Sequence, residues 1–339
     1  MIYVLILCGG LWALGWGLGI QWQRRLVVIA VVWLLAFALL CLPLDLASDD
    51  LRVWVVASLV TAVGSGYALI LKRLKTRVKN QELPEIRTQA FQPAELERYA
   101  RHILLREIGG PGQKAMKSAK VLVIGAGGLG SPALMYLAAA GVGVIGVVDD
   151  DVVDASNLQR QIIHTTEGVG TSKVLSAKAA MLALNPFVEV RTLQERFGEA
   201  NAGLLPGYDL ILDGSDNFDT RYLVNRLAAK AGKPLISAAI TQWEGQISLY
   251  DPAHGTPCYQ CIFPHRPAPG MVPTCAEAGV AAPLPGVVGS MMAIEAVKHL
   301  TGAGEGLRGR LMIYDALYAE VRVIGIKRRE DCEVCGASH

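Results

Sequence analysis

Charge is scarce in this sequence. Only 18% of its 339 residues are Asp, Glu, Lys or Arg, and the two signs nearly cancel, leaving a formal net charge of +2. A body built to hold nucleic acid carries a strong basic excess, so no nucleic-acid partner is expected. Disorder is excluded as well, because 52% of the residues are apolar and a chain with no core is poor in them. Cysteine is sparse, with seven in the chain, and lacks the dense, even spacing of a small secreted disulfide scaffold. That usage fits a reducing compartment. His102, His164, His254, His265 and His299 share no ligand spacing and read as surface or packing residues.

The apolar content is uneven. Residues 1–20, 26–44 and 53–71 contain no charged side chain. Each run approaches the ~20 residues that a helix needs to cross a bilayer core. Backbone in lipid must satisfy itself, so these runs are expected as three transmembrane helices, or two with a frayed first segment. A cleaved signal peptide fits less well, since no basic residue precedes the first run. Arg24 and Arg25 follow the first run, Asp45, Asp49 and Asp50 follow the second, and Lys72, Arg73, Lys75, Arg77 and Lys79 follow the third. Loop cations stay inside. The expectation is a multi-pass inner-membrane protein with everything after residue 72 in the cytoplasm. It comprises a membrane anchor over 1–71, a basic juxtamembrane linker over 72–94 and one soluble domain over 95–339.

The soluble part begins with an amphipathic stretch from Glu95 to Leu105. The β-branched run Val121-Leu122-Val123-Ile124 then passes directly into Gly125-Ala126-Gly127-Gly128-Leu129-Gly130. Ser131-Pro132 opens a helix ending near Gly141, and a second apolar run, Val144–Val148, ends at Asp149. Strand, glycine loop, helix, strand and acid make a βαβ nucleotide-binding unit. The glycines let backbone approach a phosphate or ribose, and Asp149 suits ribose hydroxyls. Alone, the loop does not separate NAD from ATP. The charges that follow do so better. Ser156-Asn157-Leu158-Gln159-Arg160-Gln161 lies just past Asp149-Asp150-Asp151. Lys173 opens a helix over 172–184, and the strand Leu210–Leu212 runs into Asp213-Gly214-Ser215-Asp216-Asn217. A hydride-transfer site needs few charges, whereas a magnesium-bound triphosphate needs cations and a carboxylate at the strand ends.

Four cysteines form two C-x-x-C pairs, Cys258/Cys261 and Cys332/Cys335. A redox dithiol needs one pair; two pairs fit a closed tetrahedral zinc site with a structural role. Cys275 stands apart in Thr274-Cys275-Ala276-Glu277-Ala278-Gly279, inside a Pro/Gly-rich stretch from Pro264 to Gly286 that reads as a mobile loop crossing the site. Helix is expected over 285–300, and a hairpin from 311–314 and 321–326.

Arg98-Tyr99-Ala100-Arg101, the glycine loop, Asp149, the run Ser156–Gln161, Lys173, Asp213–Asn217, Trp243-Glu244-Gly245-Gln246, both cysteine pairs and the Cys275 stretch occur in the order of one family. The chain resembles molybdopterin-synthase adenylyltransferase and the ThiF adenylyltransferase of thiamine biosynthesis, relatives of the ubiquitin-activating enzyme. The likeness spans about residues 95–336; the apolar runs lie outside it.

The resemblance implies an α/β fold, a Rossmann-like doubly wound mixed sheet of the ubiquitin-activating-enzyme adenylation type, here preceded by transmembrane helices. It implies that the Gly-Gly carboxylate of a ubiquitin-like sulfur-carrier protein attacks the α-phosphorus of ATP, giving an acyl-adenylate and pyrophosphate. By position, Gly125, Gly127 and Gly128 would contact nucleotide and Asp149 the ribose. Ser156, Asn157, Leu158, Gln159, Arg160 and Lys173 would face the phosphates. Asp216 would ligate Mg2+ with Asn217 beside it, and Cys258, Cys261, Cys332 and Cys335 would hold Zn2+. Family members are dimers, which would place Arg101 at the γ-phosphate of the other subunit's site. Cys275 either bonds covalently to the carrier or is a plain accessible thiol. The rival activity is ATP-dependent activation of a different substrate, in tRNA or peptide modification.

Overall fold

The computed structural model describes residues 91–268, 271 and 275–336, with the side chains of Cys275 and Ala276 left aside. Two helices open this part, α1 (Pro93–Ile103) and α2 (Gly109–Ser118). There follow β1 (Lys120–Ile124), α3 (Gly130–Ala140), β2 (Val144–Val148), α4 (Lys173–Leu184), β3 (Glu189–Leu193), β4 (Leu210–Asp213) and α5 (Phe218–Lys230). The remainder is β5 (Leu235–Ile240), β6 (Glu244–Tyr250), α6 (Tyr259–Ile262), α7 (Cys275–Ala278), α8 (Pro283–Thr301), β7 (Arg310–Asp315) and β8 (Glu320–Gly325).

These strands form one eight-stranded sheet in the order β3-β2-β1-β4-β5-β6-β7-β8. The first five positions pair in parallel, as in β1 with β2 and β1 with β4. The last three pair antiparallel. The mixed α/β sheet expected from the sequence is therefore present. Side chains alternate across a strand, and β1 shows why both faces need helices. Val121 and Val123 join one buried cluster with residues of α3, α4 and α8, while Leu122 and Ile124 join a second with Leu227 of α5. A strand buried on both faces reads as a continuous apolar run, which is how β1, β2 and β4 appear. The chain moves from β1 outward to β2 and β3, then returns to β4 on the other side of β1. That reversal opens a crevice at the carboxyl ends of β1, β2 and β4, where doubly wound sheets bind ligands.

The inner-membrane, multi-pass placement expected from the three apolar runs is corrected here. Among the described residues no helix is long and apolar enough to cross a membrane. The longest, α8, spans 19 residues, and it lies against the sheet, with Glu295 buried and paired to Lys298 at 2.5 Å. Its apolar content is core rather than lipid contact. The runs 1–20, 26–44 and 53–71 and residues 72–90 of the linker expected over 72–94 fall outside the described residues, and α1 begins at Pro93, inside that expected linker.

Candidate active site

The site is built from the glycine loop outward. Gly125 sits at φ +94°, a left-handed conformation that glycine tolerates, and its N–H donates to the Val148 carbonyl at 2.8 Å. A Cβ on Gly130 would lie 1.9 Å from the Gly125 carbonyl oxygen, so α3 can start against the strand end only with glycine there. Asp149, at the tip of β2, turns back onto this loop. One carboxylate oxygen accepts the Ala126 N–H at 2.7 Å and the other accepts the Asp151 N–H at 2.9 Å. On the far side, buried His164 lies with Nε2 2.9 Å from the Ala126 carbonyl. A carbonyl only accepts, so Nε2 carries the proton and Nδ1 accepts from the Ser176 hydroxyl at 2.9 Å. Burial lowers the pKa of His164, which keeps the ring neutral.

The cleft above the loop encloses about 660 Å³. Gly125, Gly127, Gly128, Asp149, Arg160 and Lys173 line it, together with Asp216 and Asn217. Asn157 accepts from the Arg160 guanidinium at 2.8 Å and so aims it. Lys173 donates to Asp151 at 2.7 Å; the lysine side chain is 6% exposed and the carboxylate 65%, so the ammonium is fixed at the cleft wall by a solvated partner. Asp216 is exposed and, among the described residues, makes no hydrogen bond or ion pair. A free carboxylate at the mouth of a cleft whose wall carries Arg160 and Lys173 suits a hard, oxygen-seeking ion such as Mg2+.

Other residues named from the sequence fall elsewhere. The Ser156 hydroxyl and N–H both bond Asp154, holding that carboxyl below its usual range. Leu158 and Gln159 follow the 3-10 turn Ala155–Asn157 and do not line the cleft. Asn157 acts on it through Arg160. Arg101 is exposed on α1, outside the cleft of its own chain. Cys275 begins α7, and its side chain lies outside the described residues.

Several groups at the site have parts that the sequence does not reveal, although Asp213 and Gln161 lie inside runs already named. Asp213 is fully buried; one oxygen accepts from the Ser215 N–H and hydroxyl at 3.0 and 2.6 Å, the other from the Ser237 hydroxyl at 2.8 Å. Arg221 pairs with it at 3.5 Å and donates to the carbonyls of Ser215 and Ala238 at 2.8 and 3.0 Å. This network shapes the turn that carries Asp216. A helical spacing signal is available, because Arg221, Val224, Asn225 and Ala228 share the buried stripe of α5. Gln161 and His164 close the run Ser156–His164, and both are buried.

The four paired cysteines meet away from β1. All four are buried, with Sγ separations of 3.9 Å for Cys258–Cys261, 3.6 Å for Cys258–Cys332 and 3.4 Å for Cys261–Cys335. A tetrahedron of thiolates about 2.3 Å from zinc has edges of about 3.8 Å. The donor set and spacing fit that ion. Burial pushes the Cys258 thiol up, and Cys335 is pushed up to about 11, again chiefly by burial. Sulfurs packed this closely gain little from one another, whereas a cation would stabilise them as thiolates.

A family model described as ThiF family matches residues 99–334. The chain is 51% identical over 247 residues to the sulfur carrier protein adenylyltransferase of Thermus thermophilus, covering 71% of this chain and 91% of that protein. It is 47% identical over 250 residues to the SAMP-activating enzyme E1 of Haloferax volcanii, covering 74% and 92%. The probable adenylyltransferase/sulfurtransferase MoeZ of Mycobacterium tuberculosis is 51% identical over 243 residues, and the chain spans 62% of its length. Among solved structures, E. coli MccB with MccA-N7isoASN aligns with a TM-score of 0.62 at 23% identity, over 70% of this chain and 74% of that one. That likeness concerns the fold.

Proposed function

The chain belongs to the ThiF family, and from this membership and the charges gathered in its cleft we infer that it is an ATP-dependent protein adenylyltransferase acting on a ubiquitin-like sulfur-carrier protein. The carrier's C-terminal Gly-Gly carboxylate attacks the α-phosphorus of ATP, the bond to the β-phosphate oxygen breaks, and the products are an acyl-adenylate and pyrophosphate. The observation that carries this reading is that Asp149, Arg160, Lys173 and Asp216, from four separate segments, line one cleft beside the glycine loop.

Each residue has a task that its chemistry suits. The loop from Gly125 to Gly130 presents backbone to the nucleotide at the N-terminus of α3, where negative charge is favoured. Asp149 spends one oxygen on the Ala126 N–H of the loop and the other on the Asp151 N–H, and keeps further lone pairs for ribose hydroxyls. Arg160, aimed by Asn157, stabilises charge building at the α-phosphate, and Lys173 neutralises a neighbouring phosphate oxygen. The carboxylate nucleophile is already ionised at neutral pH, so no general base is required, and positioning supplies much of the rate. Asp216, with Asn217 beside it, would hold Mg2+, which supplies further charge neutralisation on the phosphates when bound. Cys258, Cys261, Cys332 and Cys335 would hold Zn2+, which ties the C-terminal knuckle to α6. We assign the adenylation domain to residues 95–339. Arg101, exposed and outside its own cleft, suits a homodimer in which it reaches the partner's triphosphate. Cys275 has two readings, a covalent acceptor for the carrier or an accessible thiol, and trapping with wild type against Cys275→Ala separates them.

The test is ATP–pyrophosphate exchange by the full chain with a panel of β-grasp carrier proteins, intact and lacking the Gly-Gly tail. Exchange with an intact carrier and none with its truncated form is expected. Absence of exchange with every carrier overturns the assignment.

A further inference from the structure

The cysteine cluster and the cleft are joined by one residue. Tyr259 stands between the first two cysteines, at the start of α6, and is 3% exposed. Its N–H donates to the Asn225 side-chain carbonyl of α5 at 2.8 Å. Its ring packs edge-on against Tyr222 and Tyr250, with centroids 5.3 and 5.8 Å away, and lies tilted on Phe263 at 4.7 Å. The Arg221 guanidinium carbon lies 6.0 Å from the Tyr259 ring centroid, within the range of a cation–π contact. Tyr259 and Arg221 both line the cleft.

Arg221 has no slack. Its side chain is 7% exposed, it spans two carbonyls, and its Nε is buried with no hydrogen bond, the nearest anion being Asp213 at 3.5 Å. One of the two carbonyls belongs to Ser215, the residue before Asp216. The guanidinium therefore helps to fix where that turn sits, and the Tyr259 side chain, whose hydroxyl interacts with Arg221, is one of the groups that hold the guanidinium. The ring is in turn held at a stretch of chain two residues long between Cys258 and Cys261, whose sulfurs face those of the C-terminal knuckle.

We propose that Tyr259 and Arg221 are positioning residues that couple the occupancy of the four-cysteine site to the geometry of the Asp216 turn, so that the metal site sets nucleotide affinity as well as stability. This rests on the adenylation reading only for what the cleft binds. An intact cluster holds the Tyr259 side chain against Arg221, and Arg221 holds the Ser215 carbonyl and presents the Asp216 carboxylate. An opened cluster frees α6, tilts the ring and loosens the turn. The glycine loop touches the turn at Gly214 but has anchors of its own, Asp149 and His164, and stays closed.

The experiment uses the full chain in four forms: zinc-loaded with metal content measured, chelator-stripped, Tyr259→Leu and Tyr259→Phe. The readouts are hydrogen exchange of the Gly214 and Ser215 amides, exchange of the Gly125 and Ala126 amides, and the affinity of a non-hydrolysable ATP analogue. Gly214 N–H is bonded to the Ile124 carbonyl and Ser215 N–H to Asp213, so both report directly on the turn. Stripping and Tyr259→Leu should each speed exchange at Gly214 and Ser215 and weaken the analogue by roughly tenfold to a hundredfold, the scale of losing the groups that orient a metal ligand. Gly125 and Ala126 should be unchanged, and Tyr259→Phe, which keeps the ring but loses the hydroxyl that interacts with Arg221, should fall between the loaded wild type and Tyr259→Leu. Unchanged exchange at the turn overturns the proposal. So does equal acceleration in the glycine loop, which would mark general unfolding. Should Tyr259→Leu not fold, the stripped wild type decides by the same two criteria. None of these readouts involves the carrier, so failed pyrophosphate exchange would count against the function, while the coupling stands or falls on the turn amides alone.

Discussion

The side-chain amide of Asn185 donates to the Tyr99 hydroxyl at 2.8 Å and to the Ala138 carbonyl at 2.6 Å, pinning three segments together. The Tyr99 ring fills the space where Gly141 ends α3. Gly141 is at φ +83°, and a Cβ there would lie 2.4 Å from the ring. Tyr99 is 3% exposed and Asn185 fully buried. Replacing Tyr99 by Ala deletes a packed ring and should cost about 3–5 kcal/mol. Tyr99→Phe keeps the ring but strands one Asn185 donor, at about 1–3 kcal/mol. Urea unfolding of both variants checks the order; equal losses would show that the hydrogen bond contributes nothing.

Asp216→Ala should abolish pyrophosphate exchange and leave the fold intact, because the side chain is exposed and, among the described residues, unpartnered. Near-normal exchange in a variant with unchanged circular dichroism would remove its role. Asn157→Ala is the milder companion. It frees the Arg160 guanidinium, bonded at 2.8 Å, without deleting its charge. The maximal exchange rate should fall by about 10²-fold, at the lower end of the loss of a direct charge-stabilising contact. Arg160→Ala should fall further, and the reverse order would refute the aiming role.

Much of this site is legible in the sequence, for a local reason. β1, the glycine loop, α3 and β2 follow one another with the periodicities that their burial demands, so Gly125, Gly127 and Asp149 can be placed by counting. Lys173 and Asp216 follow from strand ends. Arg221 is harder: a charged residue one turn into a helix ordinarily reads as solvated, and its buried carboxylate, Asp213, lies eight positions earlier, at the end of β4. His164 shares the difficulty, since its partners Ala126 and Ser176 come from a loop and a helix that only tertiary packing brings together. The apolar runs 1–20, 26–44 and 53–71 are read from span length and loop charge alone, and they lie outside the described residues.

His164 makes stability depend on pH. Burial lowers its folded-state pKa from the ordinary 6.5, so the unfolded chain binds a proton more readily. Where the unfolded state holds more protons, stability falls as pH falls. The contribution is therefore complete above pH 6.5 and is lost as pH drops from there to the folded-state value, below which no further loss accrues from this residue. His299, also lowered chiefly by burial, adds in the same direction. His164→Gln, which can still donate to the Ala126 carbonyl, should flatten the acid limb of the stability profile between pH 7 and 5, as judged by urea midpoints. A slope identical to wild type would place the acid sensitivity elsewhere.

The Asp213–Arg221 pair offers a sharper test, because both side chains are buried and each is the other's nearest opposite charge. Removing one partner leaves a bare charge in the interior, which typically costs about 3–5 kcal/mol. Arg221→Met should do this and also free the Ser215 and Ala238 carbonyls. Asp213→Asn leaves the cation uncompensated but keeps a shape that can accept from Ser215. The double variant removes both charges, so its loss should be smaller than the sum of the single losses, by about 0.5–3 kcal/mol of coupling. Activity should not recover with stability. The Ser215 carbonyl remains unheld in the double variant, so the Asp216 turn stays loose and pyrophosphate exchange stays low. Recovery of both together would mean that Arg221 acts only as a counter-charge and has no part in placing the turn.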